Sequence, residues 1–131
     1  MPATGDVLLD TSVVVRYFRK DAAIHQQLQN FANLCLPLTA LGELHCGAHL
    51  SANPTKTLAE IGSFLAAVTL LPTTIATAER YGRIRAALAR AGTPIPENDI
   101  WIAAIAQEHG LPLAAHDQHF NQIAGLQVFQ W

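Results

Sequence analysis

Cysteines are few in this 131-residue sequence, and it has no long apolar run and no recognisable secretion signal. Its two cysteines, Cys35 and Cys46, lie in apolar segments and form no Cys-x-x-Cys pair, which excludes a disulfide framework and favours buried thiols in a reducing compartment. No stretch reaches the roughly 18 apolar residues that a membrane-spanning helix requires, and no basic region followed by a long apolar run begins the chain. We therefore expect a soluble cytoplasmic protein that has no membrane partner.

Positive charge is also limited, because eight Lys and Arg residues stand against ten Asp and Glu residues and the formal net charge is -2. Strong nonspecific binding to nucleic acid comes from many Lys and Arg contacts to phosphates, and this composition argues against it. Half of the basic residues fall between Arg80 and Arg90, a clustering that is typical of a solvated helix face. Any contact with nucleic acid must therefore be local.

Apolar residues are abundant, since 50% of the chain is hydrophobic and only 14% is charged. This balance predicts one compact domain over residues 1–131. Short apolar runs alternate with segments of helical spacing; the runs cover residues 7–9, 34–38, 68–71, 111–115 and 126–131. Because the runs are continuously apolar, they indicate an α/β fold whose parallel sheet is covered by helices on both faces.

Two acidic residues directly follow predicted strands. Asp10 ends the first apolar run, ahead of a helix over residues 13–19 that Thr11 and Ser12 are predicted to cap. Asp117 follows the run at residues 111–115. Because sites in open α/β sheets collect beyond the carboxyl ends of the strands, we expect both carboxylates at that edge.

Two further acids lie on predicted helices among apolar side chains. Glu43 falls on the same helix face as Ala40 and Leu44. Asp99 opens a helix that is apolar on all sides after its first residue, which predicts a central position in the domain and places Trp101 in the core. Elsewhere, Asp21 is predicted to cap the second helix.

Each acid alone also has a purely structural explanation, as a helix cap, a turn residue or a solvent-facing helix position. The set of four is harder to explain in this way. Two carboxylates about 4 Å apart repel by roughly 4 kcal/mol at an effective dielectric constant near 20, so a fold that gathers four must neutralise them. A divalent cation that prefers hard oxygen ligands, Mg²⁺ or Mn²⁺, is the natural solution at neutral pH.

The order and surroundings of these acids resemble the PIN-domain ribonucleases and, among them, the VapC-type toxins of type II toxin-antitoxin pairs. The resemblance spans nearly the whole chain. It is carried by Leu8-Leu9-Asp10-Thr11-Ser12, Ala40-Leu41-Gly42-Glu43-Leu44 with Gly47, Asn98-Asp99-Ile100-Trp101-Ile102-Ala103-Ala104, and Asp117 with Phe120.

The resemblance implies a three-layer α/β/α domain in which Asp10, Glu43, Asp99 and Asp117 form the catalytic metal site. It implies metal-assisted hydrolysis of RNA phosphodiester bonds. Asp10 and Asp99 are expected as the main ligands, with Glu43 binding through water or orienting the nucleophile and Asp117 completing a weaker position. A small antitoxin protein that blocks this site and a homodimeric toxin are the implied partners.

The resemblance also assigns supporting residues and shows one departure from the family pattern. Thr11 and Ser12 lie where the family places a polar residue near the metal. Many relatives have Ser or Thr two residues before the last acid, where this chain has Ala115. This change either loosens the Asp117 end of the site or is compensated by a hydrogen bond from Ser12 and His116.

Three other interpretations remain open. A domain of the same shape can bind RNA or protein while cutting weakly or not at all. A phosphatase can use Asp10 as a covalent nucleophile, although that chemistry requires a second Asp where Ser12 stands. The His45 and His49 pair and the His116 and His119 pair have spacings that can bind zinc, but the His-Glu-x-x-His motif is absent.

Overall fold

A five-stranded parallel sheet flanked by six α-helices forms the part of the chain that the computed structural model describes, residues 3–131. The strands are β1 (Asp6–Leu9), β2 (Asn33–Pro37), β3 (Thr69–Leu71), β4 (Leu113–Ala115) and β5 (Val128–Gln130). The helices are α1 (Thr11–Phe18), α2 (Ala22–Leu28), α3 (Leu38–Leu50), α4 (Pro54–Leu65), α5 (Ile75–Ala91) and α6 (Glu97–His109), and a 3₁₀ turn covers Gln118–Gln122. The predicted α/β class and parallel sheet are confirmed.

The strand order is β3-β2-β1-β4-β5, which places β1 at the centre of the sheet. Leu8 of β1 is in register with Cys35 of β2 on one side and with Leu113 of β4 on the other. The chain builds outward from β1 through β2 to β3, and then crosses to β4 and β5. The order of the strands therefore reverses between β1 and β4, and the carboxyl ends of these two strands flank the crevice where ligands bind in open α/β sheets.

Burial along β1 shows why helices must cover both faces of the sheet. Val7, Leu8 and Leu9 are each fully buried, although neighbouring residues of a strand point to opposite faces. The expected three-layer α/β/α arrangement follows. No helix within residues 3–131 combines the length and the apolar character needed to cross a membrane.

Helix α6 lies in the centre of the domain, as its uniformly apolar sequence predicts. Ile102, Ala103 and Ile105 are fully buried. Trp101, however, is only half-buried, and its ring stacks on Tyr81 of α5 with ring centroids 3.9 Å apart. Its predicted place in the core is wrong, because the ring packs between two helices at the edge of the core.

The two cysteines differ in environment. Cys35 is buried in β2 as predicted, and burial followed by the nearby charge of Asp6 raises the pKa of its thiol. Cys46 is exposed, so its predicted burial is wrong. Helix α3 turns Leu44 toward the core, and Cys46 lies about 200° further around the helix because each residue advances by about 100°.

Candidate active site

The four predicted acids come together in one cavity of about 440 Å³. They arrive from four different places in the chain: the end of β1, helix α3, the first turn of α6 and the loop after β4. The cavity is lined by Asp10, Glu43, Asp99 and Asp117, by the three predicted supporting residues Thr11, Ser12 and His116, and by Val15, Arg16 and Arg19. Sequence reasoning thus identified seven of its ten lining residues.

The strand order explains why the acids meet. Asp10 follows β1 and Asp117 lies just beyond β4, so both stand at the carboxyl ends of the two strands between which the order reverses. The backbone of Asp10 is fixed there, because its N–H donates to the carbonyl of Ala114 at 2.9 Å. Helices α3 and α6 contribute Glu43 and Asp99 to the same crevice.

Asp10 is the most restrained carboxylate of the site. Its side chain caps α1, which begins at Thr11, so the cap is Asp10 and not the predicted Thr11 and Ser12 pair. The hydroxyl and backbone N–H of Ser12 donate to Asp10 Oδ2 at 2.6 and 3.2 Å. Asp10 is only 3% exposed, and this burial raises the pKa of its carboxyl although the Ser12 bonds lower it. The negative charge of Asp117 adds to the rise.

Ser12 also joins the ends of β1 and β4. The backbone N–H of His116 donates to Ser12 Oγ at 3.2 Å, while that hydroxyl donates to Asp10. Neither of these bonds reaches the Asp117 side chain, so the effect of Ala115 on that acid stays a prediction.

Glu43 is linked to α1 by Thr11, another of the predicted supporting residues. Thr11 Oγ1 donates to Glu43 Oε1 at 2.9 Å, which joins α1 to α3 across the cavity. The Glu43 side chain is half-buried, and the remaining oxygen of its carboxylate has no hydrogen-bond partner among residues 3–131. One oxygen therefore fixes the direction of the side chain and the other is available to a ligand.

Asp99 has the most strongly shifted titration of the site. Its pKa is raised from 3.8 to about 6, chiefly by burial. The hydrogen bond from His119 lowers the pKa, whereas the negative charges of Asp10 and Glu43 raise it. His119 Nδ1 lies 3.0 Å from Asp99 Oδ2. Sequence reasoning missed this pairing, because His119 lies 20 residues away in the chain and no spacing rule connects the two.

Asp117 is the least restrained of the four acids. It stands at the exposed start of the 3₁₀ turn, and its side chain makes no capping hydrogen bond. Its neighbour His116 is also exposed, and His116 Nδ1 lies 2.8 Å from the carbonyl oxygen of Trp131. No hydrogen bond within residues 3–131 therefore holds the Asp117 carboxylate in place.

Arg16 is a second residue that sequence reasoning missed. Its guanidinium forms an ion pair with Asp21 at 2.9 Å and donates to the carbonyl oxygen of Trp131 at 2.6 Å. Asp21 also caps α2, as predicted, and the Arg16 hydrogen bond lowers the pKa of its carboxyl although burial acts against this. Arg16 thus joins the cavity wall to α2 and to the end of β5.

The donors in this cavity suit a hard divalent cation, but they are not closed around a common point. Within residues 3–131, none of the four acids forms an ion pair with Lys or Arg, and His119 beside Asp99 is the one basic side chain in contact with them. No three His, Cys, Asp or Glu side chains in the same span are already close enough to hold a metal ion. A shared ion therefore requires rotation of at least one side chain, and the unrestrained Asp117 is the natural one to move.

The His45 and His49 pair lies outside this cavity. Both side chains are exposed on α3, and neither lines the space between the four acids. The histidine pair is therefore not part of the acidic cavity, although α3 carries both the pair and Glu43.

Comparison with known proteins assigns the chain to a family. The PIN domain matches residues 7–126, a span that contains all four acids. The chain belongs to the PIN-domain family. The order of acids that suggested this family is therefore a reliable guide here.

Individual relatives of this PIN domain are of the VapC type, as the resemblance predicts. Ribonuclease VapC2 of Haemophilus influenzae is 32% identical over 127 residues, covering 95% of this chain and 96% of that protein. The tRNA(fMet)-specific endonuclease VapC of Shigella flexneri has the same identity and the same coverage. In the crystal structure of DNA-bound VapBC from Salmonella typhimurium, the matching chain is 30% identical with a TM-score of 0.88, and the match covers 100% of this chain and 99% of that one.

Proposed function

We propose that this protein is a metal-dependent endoribonuclease, the toxin of a toxin-antitoxin pair, which hydrolyses RNA phosphodiester bonds at the acidic cavity. One observation carries the proposal: four carboxylates from four separate elements line a single crevice at the reversal of strand order, and none has a Lys or Arg partner within residues 3–131. Relatives named as ribonucleases support RNA as the substrate. The alternative of a non-cutting module has no observation in its favour.

Asp10, Glu43, Asp99 and Asp117 are the proposed ligands of Mg²⁺ or Mn²⁺. When bound, such a cation neutralises carboxylate and phosphate charge and lowers the pKa of a water molecule. Asp10 and Asp99 suit this role because both are largely buried and their pKa values are raised, so a cation relieves an unfavourable charge at each.

The chain's own groups orient the reaction. Ser12 holds Asp10 through two hydrogen bonds, and Thr11 holds one oxygen of Glu43. The second oxygen of Glu43 is free to accept a proton from an attacking water. His119 fixes the orientation of Asp99 through its 3.0 Å contact.

The first experiment measures RNA cleavage by the wild type and by Asp99→Asn in Mg²⁺, in Mn²⁺ and in EDTA. Bulk transfer RNA, ribosomal RNA and a mixed-sequence single-stranded RNA serve as substrates. We expect cleavage by the wild type with either metal, and a loss of at least about 100-fold in Asp99→Asn, because the variant removes a ligand charge without changing side-chain volume.

The matched control is Glu79→Gln, which removes a carboxylate charge from an exposed ion pair with Arg83 on α5. Exposed pairs of this kind contribute little to stability, so this variant should keep wild-type activity. Cleavage by Asp99→Asn at the rate of the control would remove Asp99 from the catalytic site. Wild-type cleavage in EDTA at the Mg²⁺ rate would remove the metal from the proposal.

The proposed antitoxin partner rests on the relatives solved as VapBC complexes. An apolar cavity of about 740 Å³ between α1, α2 and α4, lined in part by Tyr17, Phe18 and Phe64, is the proposed seat for an antitoxin segment. Lys20, which is next in the chain to Arg19 of the acidic cavity, is one of its lining residues. A segment seated there can reach the carboxylates by passing the end of α1. The homodimer stays a prediction.

A further inference from the structure

Two guanidinium groups face the acidic cavity, and they differ in their partners. Arg16 is held by Asp21 and by the carbonyl of Trp131. Arg19 is exposed, and its side chain forms no hydrogen bond and no ion pair with any of residues 3–131. The charge of Arg16 is thus already compensated within the fold, whereas that of Arg19 is not.

Helix α1 places Arg19 at the far end of the cavity wall from Asp10. Asp10 is the N-cap of α1 and Arg19 is its C-cap, so the two are nine positions apart and about 13 Å apart along a helix that rises 1.5 Å per residue. Ser12, Val15 and Arg19 line the cavity because positions three and four apart share one helix face. This wall of the cavity therefore has the Asp10 carboxylate at one end and the unpaired Arg19 guanidinium at the other.

The electrostatics of the cavity indicate a role for the unpaired charge of Arg19. Four carboxylates repel the phosphates of an RNA strand, and the net charge of -2 supplies no general attraction. Arg19 is the single Lys or Arg lining the cavity whose charge is uncompensated within residues 3–131. A favourable interaction with the helix C-terminus also accounts for a basic residue at this position. That interaction is weak at an exposed site, however, and it leaves the N–H donors of the guanidinium available to a ligand.

The other basic residues, apart from Arg16, do not line the acidic cavity, and Lys20 and Lys56 line the neighbouring apolar cavity instead. Arg80, Arg83, Arg85 and Arg90 lie on α5, outside the cavity lining. Arg83 and Arg85 are paired with Glu79 and Glu97. Arg90 is exposed and makes no ion pair with residues 3–131, so it matches Arg19 in charge and exposure but not in location.

We propose that Arg19 binds a phosphate of the RNA strand beside the scissile phosphate and holds the strand across the acidic cavity. This inference rests on the proposed ribonuclease function. The planar guanidinium presents paired N–H donors that match two phosphate oxygens, a contact that fixes position without reading sequence. Arg19 is therefore a substrate-binding residue, whereas Arg16 keeps the wall in place.

The test compares Arg19→Gln and Arg19→Lys with the matched control Arg90→Gln. Cleavage of the RNA that the wild type cuts best is measured at 50 and 200 mM KCl with constant Mg²⁺. We expect Arg19→Gln to lower kcat/KM by about 10- to 100-fold through KM, because a charge-assisted contact is lost. Arg19→Lys should recover part of the loss, and Arg90→Gln should stay within about twofold of the wild type.

Binding distinguishes a phosphate contact from a structural role. Each substitution is combined with Asp99→Asn to prevent cleavage, and the affinity for the same fluorescein-labelled RNA is followed against KCl concentration. Arg19→Gln should reduce the slope of log affinity against log salt by about 0.7 to 1, the value for one phosphate contact. The melting temperature of Arg19→Gln should equal that of the wild type, since its side chain has no partner within the fold.

The outcomes separate the two claims. If the wild type cleaves RNA but Arg19→Gln and Arg90→Gln have the same kcat/KM and the same salt slope, the inference about Arg19 is wrong and the ribonuclease function stands. A loss of kcat with an unchanged salt slope and a lower melting temperature would also overturn it, in favour of a structural role. If the wild type cleaves none of the RNAs, the function itself fails and the inference fails with it.

Discussion

Asp99 carries a charge that the folded protein disfavours when no cation is bound. Burial, with the charges of Asp10 and Glu43, raises its pKa to about 6 despite the hydrogen bond from His119. The folded state therefore binds more protons than the unfolded chain between about pH 4 and 6, and ionisation of Asp99 lowers stability as the pH rises through this window. The ionised Asp99 therefore reduces the stability of the metal-free fold at neutral pH.

Asp99→Asn should stabilise the metal-free protein in a pH-dependent way. In EDTA, the free energy of unfolding of the variant relative to the wild type should grow by about 2 kcal/mol between pH 4.5 and 7.5, because the wild type must ionise a group that prefers its proton. Urea unfolding at the two pH values measures the difference. Glu79→Gln is the control, and its difference should stay flat. A pH-independent effect of Asp99→Asn would contradict the raised pKa.

Sequence reasoning succeeded for residues whose position follows from local pattern. Asp10 and Asp117 follow apolar runs, and the strand ends bring them together. His119 was missed because its partner Asp99 lies 20 residues away, and the place of Arg16 in the site was missed because its contact with Trp131 spans 115 residues. The rotation of each carboxylate is likewise set by neighbours from other elements, so the sequence gives the members of the site but not their orientation.

At the scale of elements, helices α5 and α6 are joined by a small polar cluster away from the acidic cavity. Thr77 is fully buried, and its hydroxyl lies 2.9 and 2.7 Å from the two oxygens of Glu108. Thr74 caps α5, forms a capping box with Thr77 and donates to Glu108 at 2.5 Å. Although burial acts to raise the pKa of Glu108, these hydroxyl bonds lower it. The cluster holds the helix that carries Asp99 at its other end.

Thr77→Val should destabilise the protein by about 1 to 3 kcal/mol, because the buried hydroxyl is lost from a charged acceptor while the shape of the side chain is kept. Thermal unfolding, with Thr55→Val at an exposed position of α4 as the control, measures this effect. Below its melting temperature the variant should retain RNA cleavage, since the cluster lies outside the cavity. Unchanged stability would mean that the hydroxyl contributes nothing to the α5–α6 contact.

Element boundaries were predictable where a side chain determines them. Asp21 caps α2, as expected. Thr74 caps α5, and Gly92 ends α5 with a φ of 70°, a left-handed conformation that suits glycine. Helix α1 began two residues earlier than predicted because Asp10 supplied the cap. The exposure of Cys46 was missed because α3 is rich in small and apolar residues on every side, so its sequence does not indicate which side faces the core.

At the scale of the whole molecule, the distribution of charge matters more than its sum. The net charge of -2 is small, yet four of the ten acidic residues converge on one crevice. If the proposed cation binds there, it should relieve this concentration of like charge. The chain is thus expected to be more stable with its cation than without it.

Mg²⁺ should raise the melting temperature of the wild type by about 5 °C at a concentration near ten times its dissociation constant, because it binds the folded state only. The rise should be smaller in Asp10→Asn and in Asp99→Asn, each of which lacks one proposed ligand. Differential scanning calorimetry over a Mg²⁺ series measures it, with Glu79→Gln expected to follow the wild type. Equal shifts in all four proteins would place the cation elsewhere.

The unequal environments of the two cysteines offer a practical opportunity. Cys35 is buried with a raised thiol pKa, whereas Cys46 is exposed on α3, one helical turn beyond Glu43. A maleimide fluorophore should therefore attach to Cys46 in preference to Cys35 without any mutagenesis. The dye would stand close enough to the crevice for its emission to report cation uptake, or arrival of a regulatory protein, in real time.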